Sequence, residues 1–305
     1  MIIVVGSLNM DLVVRSPRLP RPGETLSGGP FVTYPGGKGA NQAVAAARMG
    51  ARTAMIGRVG ADGFGQMLRL SAETDDVNVE HVLSTPGLST GVALITVEVG
   101  GQNTIVIAPG ANAALMPEDV DAVAPLIAVA RVLLLQLEVP LPTVVRAAAI
   151  AHAAGATVIL NPAPAPVGRL PAELLAHVDY LIPNESEAAV FLDESSGVPP
   201  EVLARAVSAV CGVPNVIITL GAGGVAMFGP DGVTLLPAFS VDAVDTTAAG
   251  DAFVGGFAVA LSEGLSPTEA LRWGCAAGAL AATRPGAQSS LPTRDEVLGL
   301  LQLGD

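Results

Sequence analysis

Residues 245–251 bring a carboxylate and a glycine-containing turn together directly before an apolar stretch. This order places Asp251 in the first turn of a predicted helix, where backbone N–H groups are unpaired and the helix dipole is positive. Such a helix start can hold a phosphate, and its carboxylate can accept a hydroxyl proton during phosphoryl transfer. Asp251 is therefore a candidate general base, with the amides of Ala248, Ala249 and Gly250 as candidate donors to the transferred group. A structural helix cap is the alternative for this motif alone.

A second candidate binding segment is the glycine-rich turn of residues 34–43, which leads into an alanine-rich helix. Lys38 in this turn is the only lysine of the chain. A compact ammonium group between glycines suits close contact with a polar or anionic ligand. The segment lacks the Gly-Lys-Ser/Thr ending of a P-loop and the third glycine of a dinucleotide fingerprint. It predicts a ligand site of another type, with an exposed turn as the alternative.

The composition favours one large α/β domain and argues against several classes of partner. The chain has 305 residues, of which 50% are hydrophobic and only 3% aromatic, so small aliphatic side chains must fill the core. A net charge of −13 argues against nucleic acid or an anionic membrane as a partner. Two widely spaced cysteines and three scattered histidines indicate reduced thiols and no zinc site. Because the N-terminus reads as a buried strand without a basic leader, we expect a cytoplasmic enzyme.

Short β-branched runs alternate with alanine-rich helical stretches along most of the chain. We predict core strands at residues 2–6, 54–59, 132–135, 157–160, 180–182 and 216–220, and a further pair at 225–228 and 233–236. Predicted helices include residues 42–49, 63–72, 250–262 and 267–283. The alternation predicts a three-layer α/β/α sandwich with a mostly parallel central sheet, formed by residues 1–305 as a single domain.

Two segments depart from this alternation and are predicted to form a small projecting sheet. Residues 13–33 are rich in proline and glycine, and residues 91–107 contain two β-rich runs joined by a turn at Gly100-Gly101-Gln102. We expect both segments to form a lid that excludes water from the site. Because a projecting sheet has free edges and an apolar face, a second copy of the chain is expected to cover it in a homodimer.

Polar side chains follow the predicted parallel strands where these strands end. They are Asn9 and Asp11, Gln136 and Glu138, Asn161, Asn184 and Glu187, and residues 219–224. Parallel sheets bind ligands at the carboxyl ends of their strands, so we expect these side chains to share one rim. Each one alone is compatible with a loop or a cap, whereas together they predict a ligand site.

These motifs, in this order, resemble the ribokinase-like, or PfkB-type, carbohydrate kinases over nearly the whole chain. Residues 36–41 resemble the N-terminal signature of the family, and residues 245–251 with Phe253 and Gly255 resemble the C-terminal signature. Shorter matches occur at residues 160–165, 183–188, 219–221 and 283–290. The resemblance implies a ribokinase-like fold, a homodimer and ATP-dependent phosphorylation of the 5-hydroxyl of D-ribose, with Mg²⁺ and an activating K⁺.

The resemblance also implies roles for individual residues. Asp251 would be the catalytic base, and Glu187 would organise Mg²⁺ through water. The sugar would be surrounded by Asn9, Met10, Asp11, Gly37, Lys38, Gly39, Ala40, Asn41, Glu138 and Asp251. The nucleotide would be bordered by Asn184, Thr219, Leu220, Gly221, Ala222, Gly223, Gly224, Gly250, Asp251 and Cys275. The monovalent cation would lie at Asp245, Thr247, Ala281, Arg284, Gly286 and Ser290.

The sequence departs from the family pattern at two of its motifs. Cys275 stands where some relatives have a histidine, which bears on adenine packing, and Val254 replaces a polar residue of the C-terminal signature. Neither position belongs to the proposed chemistry.

Three alternative functions remain open at this point. A kinase of the same fold could act on 2-deoxyribose, fructose or a nucleoside, although the few aromatic residues disfavour stacking of a base. A non-catalytic sugar-binding regulator would not need Asp251, Gly250, Asn184 and Glu187 together. An NAD-dependent oxidoreductase is disfavoured because the glycine fingerprint is absent.

Overall fold

A nine-stranded sheet and a separate four-stranded sheet form the framework of the protein in a computed structural model. The structure describes residues 1–100, 102–166, 168–192 and 198–303. In chain order, the strands are β1 Ile2–Val5, β2 Asn9–Ser16, β3 Phe31–Gly36, β4 Thr53–Gly60, β5 Val77–Thr85, β6 Gly91–Glu98, β7 Asn103–Ala108, β8 Val132–Leu135, β9 Thr157–Leu160, β10 Tyr180–Leu181, β11 Asn215–Thr219, β12 Val225–Gly229 and β13 Gly232–Leu236.

Eleven α-helices accompany these strands in the described part of the chain. They are α1 Lys38–Arg48, α2 Gly63–Thr74, α3 Pro117–Ala122, α4 Ala124–Ile127, α5 Leu141–Ala153, α6 Ala172–Leu175, α7 Glu185–Leu192, α8 Pro200–Cys211, α9 Ala249–Ser262, α10 Pro267–Ala282 and α11 Arg294–Leu303. Short 3₁₀ turns lie at Gly110–Ala114, Gly221–Gly223 and Gln288–Ser290. Among the described residues, no helix is both long and apolar enough to cross a membrane.

The larger sheet is parallel except at one edge, which confirms the predicted α/β architecture. Its strand order is β13-β12-β11-β10-β9-β8-β1-β4-β5, and only β12 and β13 run antiparallel to their neighbours. β1 is an interior strand that pairs in parallel with β4 on one side and β8 on the other. Every residue of β1 and β8 is buried, as expected for strands covered by helices on both faces.

The two faces of the sheet bury separate hydrophobic clusters, which gives the molecule three layers. Ile2 and Val4 point into a cluster that contains Phe257 of α9, whereas Ile3 and Val5 point into a cluster that contains Ala147 of α5. This split follows from the two-residue period of a strand, whose successive side chains face opposite sides of the sheet. The predicted three-layer sandwich is therefore confirmed.

Small residues allow α1 and α9 to pack closely on the first of these faces. A Cβ on Gly255 of α9 would lie 2.6 Å from the Cβ of Ala45 in α1. On the other side of α9, a Cβ on Gly256 would lie 3.0 Å from the carbonyl oxygen of Trp273 in α10. Because larger side chains would push these helices apart, Gly255 sets the distance between α9 and α1, and Gly256 sets the distance between α9 and α10.

The smaller sheet has the order β3-β2-β6-β7 and corresponds to the predicted lid. β2 pairs antiparallel with β3 and parallel with β6, and β6 pairs antiparallel with β7. The strands extend beyond the predicted segments, because β2 begins at Asn9 and β3 ends at Gly36. The lid strands therefore continue into the polar motifs instead of stopping before them. The predicted turn at residues 100–102 includes Gly101, which lies outside the described residues.

Several predicted boundaries differ from the structure for identifiable reasons. α1 begins at Lys38, before the predicted start at residue 42, because Gly37 adopts φ 91° and allows β3 to turn directly into the helix. The edge strand β5 was missed because the alternation of buried and exposed residues extends only from Val77 to Glu80. The predicted strands at 132–135 and 157–160 match β8 and β9.

Candidate active site

Asp251 lies in the first turn of α9, at the point where this helix meets α1. Its side chain is only 6% exposed, and both carboxylate oxygens accept hydrogen bonds from α1. Asn41 Nδ2 donates to Oδ2 at 2.9 Å, and Gln42 Nε2 donates to Oδ1 at 3.0 Å. Burial raises the pKa of Asp251, whereas Lys38 and the two amides act in the opposite direction. The carboxylate is thus both desolvated and held in a defined orientation.

Lys38, at the start of α1, interacts electrostatically with a group of four carboxylates. Burial lowers the pKa of its ammonium, but Asp251, Glu138, Glu187 and Asp11 outweigh this effect and leave the pKa raised. Lys38 therefore remains charged and partly neutralises these four side chains.

Glu138 connects the segment that follows β1 with the start of α1. Its Oε2 accepts hydrogen bonds from Ser7 Oγ at 2.5 Å, from the Lys38 amide at 3.1 Å and from Asn9 Nδ2 at 3.4 Å. The Ala40 amide also donates to the Ser7 carbonyl at 2.9 Å. These contacts bring the predicted sugar-site residues Asn9, Lys38 and Glu138 together. Ser7 was not predicted, although it directly precedes this polar cluster in the sequence.

Asp11 projects from β2 beneath the glycine-rich turn. A Cβ on Gly36 would lie 2.5 Å from Asp11 Oδ2, so only glycine leaves room for this carboxylate. Burial, followed by the charges of Glu138 and Asp251, raises the pKa of Asp11 to about 7, although Lys38 acts to lower it. Asp11 therefore changes its charge near neutral pH.

Asn112 is a buried residue of the site that the sequence motifs did not indicate. Its Oδ1 accepts from the Leu8 amide at 3.0 Å, and its Nδ2 donates to the Leu8 carbonyl at 3.0 Å and to Asn9 Oδ1 at 2.7 Å. These bonds fix the chain between β1 and β2 and orient the Asn9 side chain. No local pattern could have revealed Asn112, because it lies in a 3₁₀ turn far along the chain.

Two predicted sugar-site residues have side chains that lie in the hydrophobic core. Met10 is fully buried and its side chain belongs to the hydrophobic core. Ala40 is also buried in the core, and its amide supports the Ser7 carbonyl. Both β2 and α1 have one face towards the core and another towards the polar site, and these two side chains lie on the core face.

A cavity of about 790 Å³ lies beside Asp251 and collects most of the predicted nucleotide residues. Lys38 and Asp251 lie where this cavity meets the carboxylate group described above. Of the predicted residues, those that line it are Asn184, Thr219, Leu220, Gly221, Ala222, Gly224, Gly250, Asp251 and Cys275, together with Glu187. Gly223 lies in the same 3₁₀ turn but not in the cavity wall.

Part of the cavity wall was not predicted from the sequence. Ala238, Phe239, Ser240, Val241 and Ala243 line it, and they belong to a segment without regular secondary structure after β13. This segment has no catalytic residue types and no periodic pattern, so it offered no sequence signal.

The N-terminus of α9 opens towards this cavity through a strained turn. Ala248 adopts φ 58°, a left-handed conformation that is unusual for a residue with a side chain. A Cβ on Gly250 would meet no atom within 4 Å, so space for a ligand exists directly above the helix start. The Ala249 amide donates to the Thr246 carbonyl at 3.2 Å, so this predicted donor is engaged within the turn.

Glu187 forms a reciprocal cap with Asn184 at the start of α7. The Glu187 amide donates to Asn184 Oδ1 at 2.8 Å, and the Asn184 amide donates to Glu187 Oε2 at 3.0 Å. Burial raises the pKa of Glu187. Among the described residues, no group of three or more His, Cys, Asp and Glu side chains forms a metal cluster. Glu187 lines the cavity together with Glu185 and Asp251, and such carboxylates suit a Mg²⁺ that keeps most of its water and binds phosphates.

Hydrogen bonds connect only some of the residues predicted for the cation site. Asp245 Oδ1 accepts from the Thr247 amide and hydroxyl at 2.9 and 2.6 Å, and its Oδ2 accepts from the Gly286 amide at 2.9 Å. These bonds tie the turn before α9 to the loop after α10. The side chain of Arg284 instead pairs with Glu296, and that of Ser290 is buried against the Ala287 carbonyl.

Comparisons with known proteins agree with this arrangement. The model for the pfkB family carbohydrate kinases matches residues 1–294. The chain is 43% identical over 304 residues to a ribokinase of Haemophilus influenzae, covering 98% of this chain and 97% of that protein. It is 36% identical over 305 residues to a deoxyribokinase of Salmonella typhi, covering 100% and 99%.

A solved structure extends the similarity to three dimensions. An Arabidopsis thaliana ribokinase complexed with ribose and ATP superposes with a TM-score of 0.92 at 36% identity, covering 99% of this chain and 98% of that one. The fold, the position of Asp251 and the match over nearly the full length lead to one assignment. The chain belongs to the pfkB family of carbohydrate kinases.

Proposed function

We propose that this protein transfers the γ-phosphoryl group of ATP to the 5-hydroxyl of D-ribose. The observation that carries the proposal is the position of Asp251, which stands between a polar pocket and a large cavity at a helix N-terminus. Asn9, Asp11 and Glu138 offer oxygen and amide groups on the polar side, as a polyhydroxyl ligand requires. The cavity side has the size and the helix start that a nucleotide requires.

The proposed reaction moves one proton and one phosphoryl group. The 5-hydroxyl oxygen of ribose forms a bond to the γ-phosphorus, and the bond between this phosphorus and the bridging oxygen to ADP breaks. The hydroxyl proton passes to the carboxylate of Asp251. Positioning and charge stabilisation supply most of the catalysis of such a transfer, so a buried and oriented carboxylate is well suited to the task.

Lys38 and the α9 N-terminus are the groups that would face the transferred phosphoryl oxygens. Lys38 lines the cavity together with Gly250 and Asp251, and open space lies above Gly250. A bound Mg²⁺ would neutralise phosphate charge, and Glu187 is the residue placed to hold it through water.

Ribose is favoured over 2-deoxyribose because the polar pocket is rich in hydrogen-bonding groups. A site whose buried groups bond a substrate hydroxyl discriminates against an analogue that lacks it, since those groups would then stay unpaired. Asn41 Oδ1 is buried and has no hydrogen-bond partner among the described residues, so it is available to such a hydroxyl. The similarity to a deoxyribokinase makes 2-deoxyribose the principal alternative substrate.

Replacement of Asp251 by Asn tests the proposed base. We expect kcat to fall by roughly 10²–10⁴-fold, because the amide cannot accept the hydroxyl proton. The KM for ribose should change much less, and the thermal stability should be retained because a buried charge has been removed. Sugar phosphate formation is followed by mass spectrometry, and melting curves control for folding. Near-normal turnover of Asp251→Asn would remove Asp251 from the mechanism.

Replacement of Asp11 by Asn tests the unfavourable ionisation of Asp11 in the ligand-free protein. The pKa of Asp11 is raised from 3.8 to about 7 in the fold. Protonated Asp11 therefore contributes to the free energy of unfolding in full below pH 4, and this contribution is lost as the pH rises through 7. Asp11→Asn should therefore melt above wild type by roughly 2–4 °C at pH 8, with a smaller difference at pH 5. The same variant should bind ribose more weakly.

The control for this comparison is Asp121→Asn, which alters an exposed carboxylate paired with Arg146. Its melting difference from wild type should not grow with pH. An Asp11→Asn difference that is independent of pH would contradict the proposed ionisation of Asp11.

We also propose activation by K⁺ bound at the turn that precedes α9. Asp245 joins this turn to the loop at Gly286, and oxygen ligands from both segments would hold a hard cation. At constant ionic strength, K⁺ should raise kcat by roughly fivefold or more over tetramethylammonium. Asp245→Asn should remove most of this difference. Equal rates in K⁺, Na⁺ and the organic cation would argue against the site.

The lid sheet supports a homodimer, because its outer strand carries an exposed apolar band. Val106 is 63% exposed and Ile105 53% exposed, and both lie on the edge strand β7. Val106→Glu should convert a two-chain mass into a one-chain mass in light scattering. Val129→Glu is the matched control, since Val129 is 64% exposed but lies outside the lid. A one-chain mass for the wild-type protein would contradict the dimer.

A further inference from the structure

A chain of buried side-chain amides leads away from the carboxylate of Asp251. Gln136 Nε2 donates to Gln42 Oε1 at 2.5 Å, and Gln42 Nε2 donates to Asp251 Oδ1 at 3.0 Å and to Asn161 Oδ1 at 3.2 Å. Gln42 and Gln136 are both fully buried. A buried amide that lacks hydrogen-bond partners is costly. The two glutamines are therefore constrained to the orientation in which they bond to each other and to the carboxylate.

The direction of every hydrogen bond in this chain follows from one backbone group. Asn161 Nδ2 donates to the Ile182 carbonyl at 2.8 Å, at the end of β10, so its Oδ1 must face Gln42. An oxygen at that place requires the Gln42 NH₂ group, which also reaches Asp251. The Gln42 carbonyl then faces Gln136, whose NH₂ group donates to it. A reversed Gln42 amide would oppose oxygen to oxygen and NH₂ to NH₂.

The packing around Gln136 restricts its side chain as well. A Cβ on Gly6 would lie 2.1 Å from Gln136 Oε1, so β1 is followed by a residue without a side chain, which admits this amide. Gln136 Oε1 itself has no partner among the described residues. The geometry therefore uses Gln136 only as a donor to Gln42.

We propose that Gln42 and Gln136 are positioning residues that hold Asp251 as an oriented proton acceptor for the sugar hydroxyl. This inference rests on the proposed role of Asp251 as the base. Gln42 fixes Oδ1 while Asn41 fixes Oδ2, so rotation of the carboxylate would break two hydrogen bonds. Gln136 acts one step further away, by keeping the NH₂ group of Gln42 turned towards Asp251.

The charged groups that face Asp251 come from several elements and are unaffected by the amide chain. They are Lys38 at the start of α1, Glu138 after β8, Asp11 on β2 and Glu187 on α7. Because Gln42 and Gln136 are neutral, their replacement changes hydrogen bonding to Asp251 without altering this set of charges. A hydrogen bond to the ionised form of an acid lowers its pKa, so its loss raises the pKa.

The test is the pH dependence of kcat for Gln42→Met and Gln136→Met against wild type. Since the base must be ionised, a higher pKa of Asp251 moves the acid limb of the profile to higher pH. We expect Gln42→Met to shift this limb to higher pH by about one unit, so its loss of kcat relative to wild type is about tenfold greater at the foot of the acid limb than on the plateau. Gln136→Met should shift it in the same direction by less, while the KM for ATP stays within about twofold.

Two further measurements separate positioning from general damage to the fold. Thr143→Val removes another buried hydrogen bond, to the Leu115 carbonyl in the opposite cluster, and should leave the shape of the profile unchanged. A ¹³C-carboxyl NMR titration of the sugar-free protein, assigned by comparison with Asp251→Asn, should show the raised pKa of Asp251 in both Gln variants.

The NMR titration needs no turnover, so it separates this inference from the proposed function. If the wild-type protein phosphorylates no sugar and both Gln variants still show a raised Asp251 pKa, the kinase proposal fails. The hydrogen bonding of the two glutamines to the carboxylate would then still stand. An unchanged Asp251 pKa, or pH profiles parallel to wild type in both Gln variants, would overturn the inference. Gln136→Met keeps the test valid should Gln42→Met fail to fold, because Gln136 does not touch Asp251.

Discussion

The close contact between α1 and α9 is the constraint on which the site depends. Gly255 lets α9 approach Ala45 so closely that the amides of Asn41 and Gln42 reach the carboxylate of Asp251. These three residues come from opposite ends of the chain, and only the helix contact joins them. A side chain in place of Gly255 would separate the helices, and the amides would lose the carboxylate before the fold itself was lost. The contact that packs this part of the core therefore also sets the geometry of the proposed catalytic site.

The same contact concentrates negative charge around one lysine. Four carboxylates interact electrostatically with Lys38, and burial raises the pKa of Asp11, Glu187 and Asp251. Ionisation of such closely placed, buried carboxylates is costly, and among the described residues Lys38 is the cation whose charge acts on them. Sugar hydroxyls can donate to these oxygens, and a metal ion can neutralise the phosphates that enter beside them. The ionised carboxylates therefore lower the free energy of unfolding of the ligand-free protein. Ligands that pair with these carboxylates would raise it again.

The sequence predicted the parts of this protein that carry a local pattern. The core strands β8 and β9 were placed correctly because a run of buried aliphatic residues between turns has few other interpretations. Asp251 was recognised because a carboxylate beside a glycine at a helix start is a local motif. The edge strand β5 was missed because its alternation of buried and exposed residues is too short to stand out.

Long-range contacts set the limit of prediction within the site. Gln42 stood beside a recognised motif, yet its role depends on Gln136 and Asn161, which the fold brings to it from β8 and β9. Asn112 reaches Leu8 and Asn9 across more than a hundred residues of sequence. The cavity wall after β13 contains no distinctive residue types. Such features follow from the sheet order and the helix packing, which no short segment encodes.

The most direct test of the account is the identity of the product when sugars compete. Wild-type protein, ATP, Mg²⁺ and K⁺ are incubated with equal concentrations of ribose, 2-deoxyribose and fructose, and ³¹P–¹H NMR identifies each phosphorylated hydroxyl. The account predicts that ribose 5-phosphate is the main product. Phosphate transfer to another hydroxyl of ribose, or no transfer to any sugar, would contradict the placement of Asp251 as the base for the 5-hydroxyl.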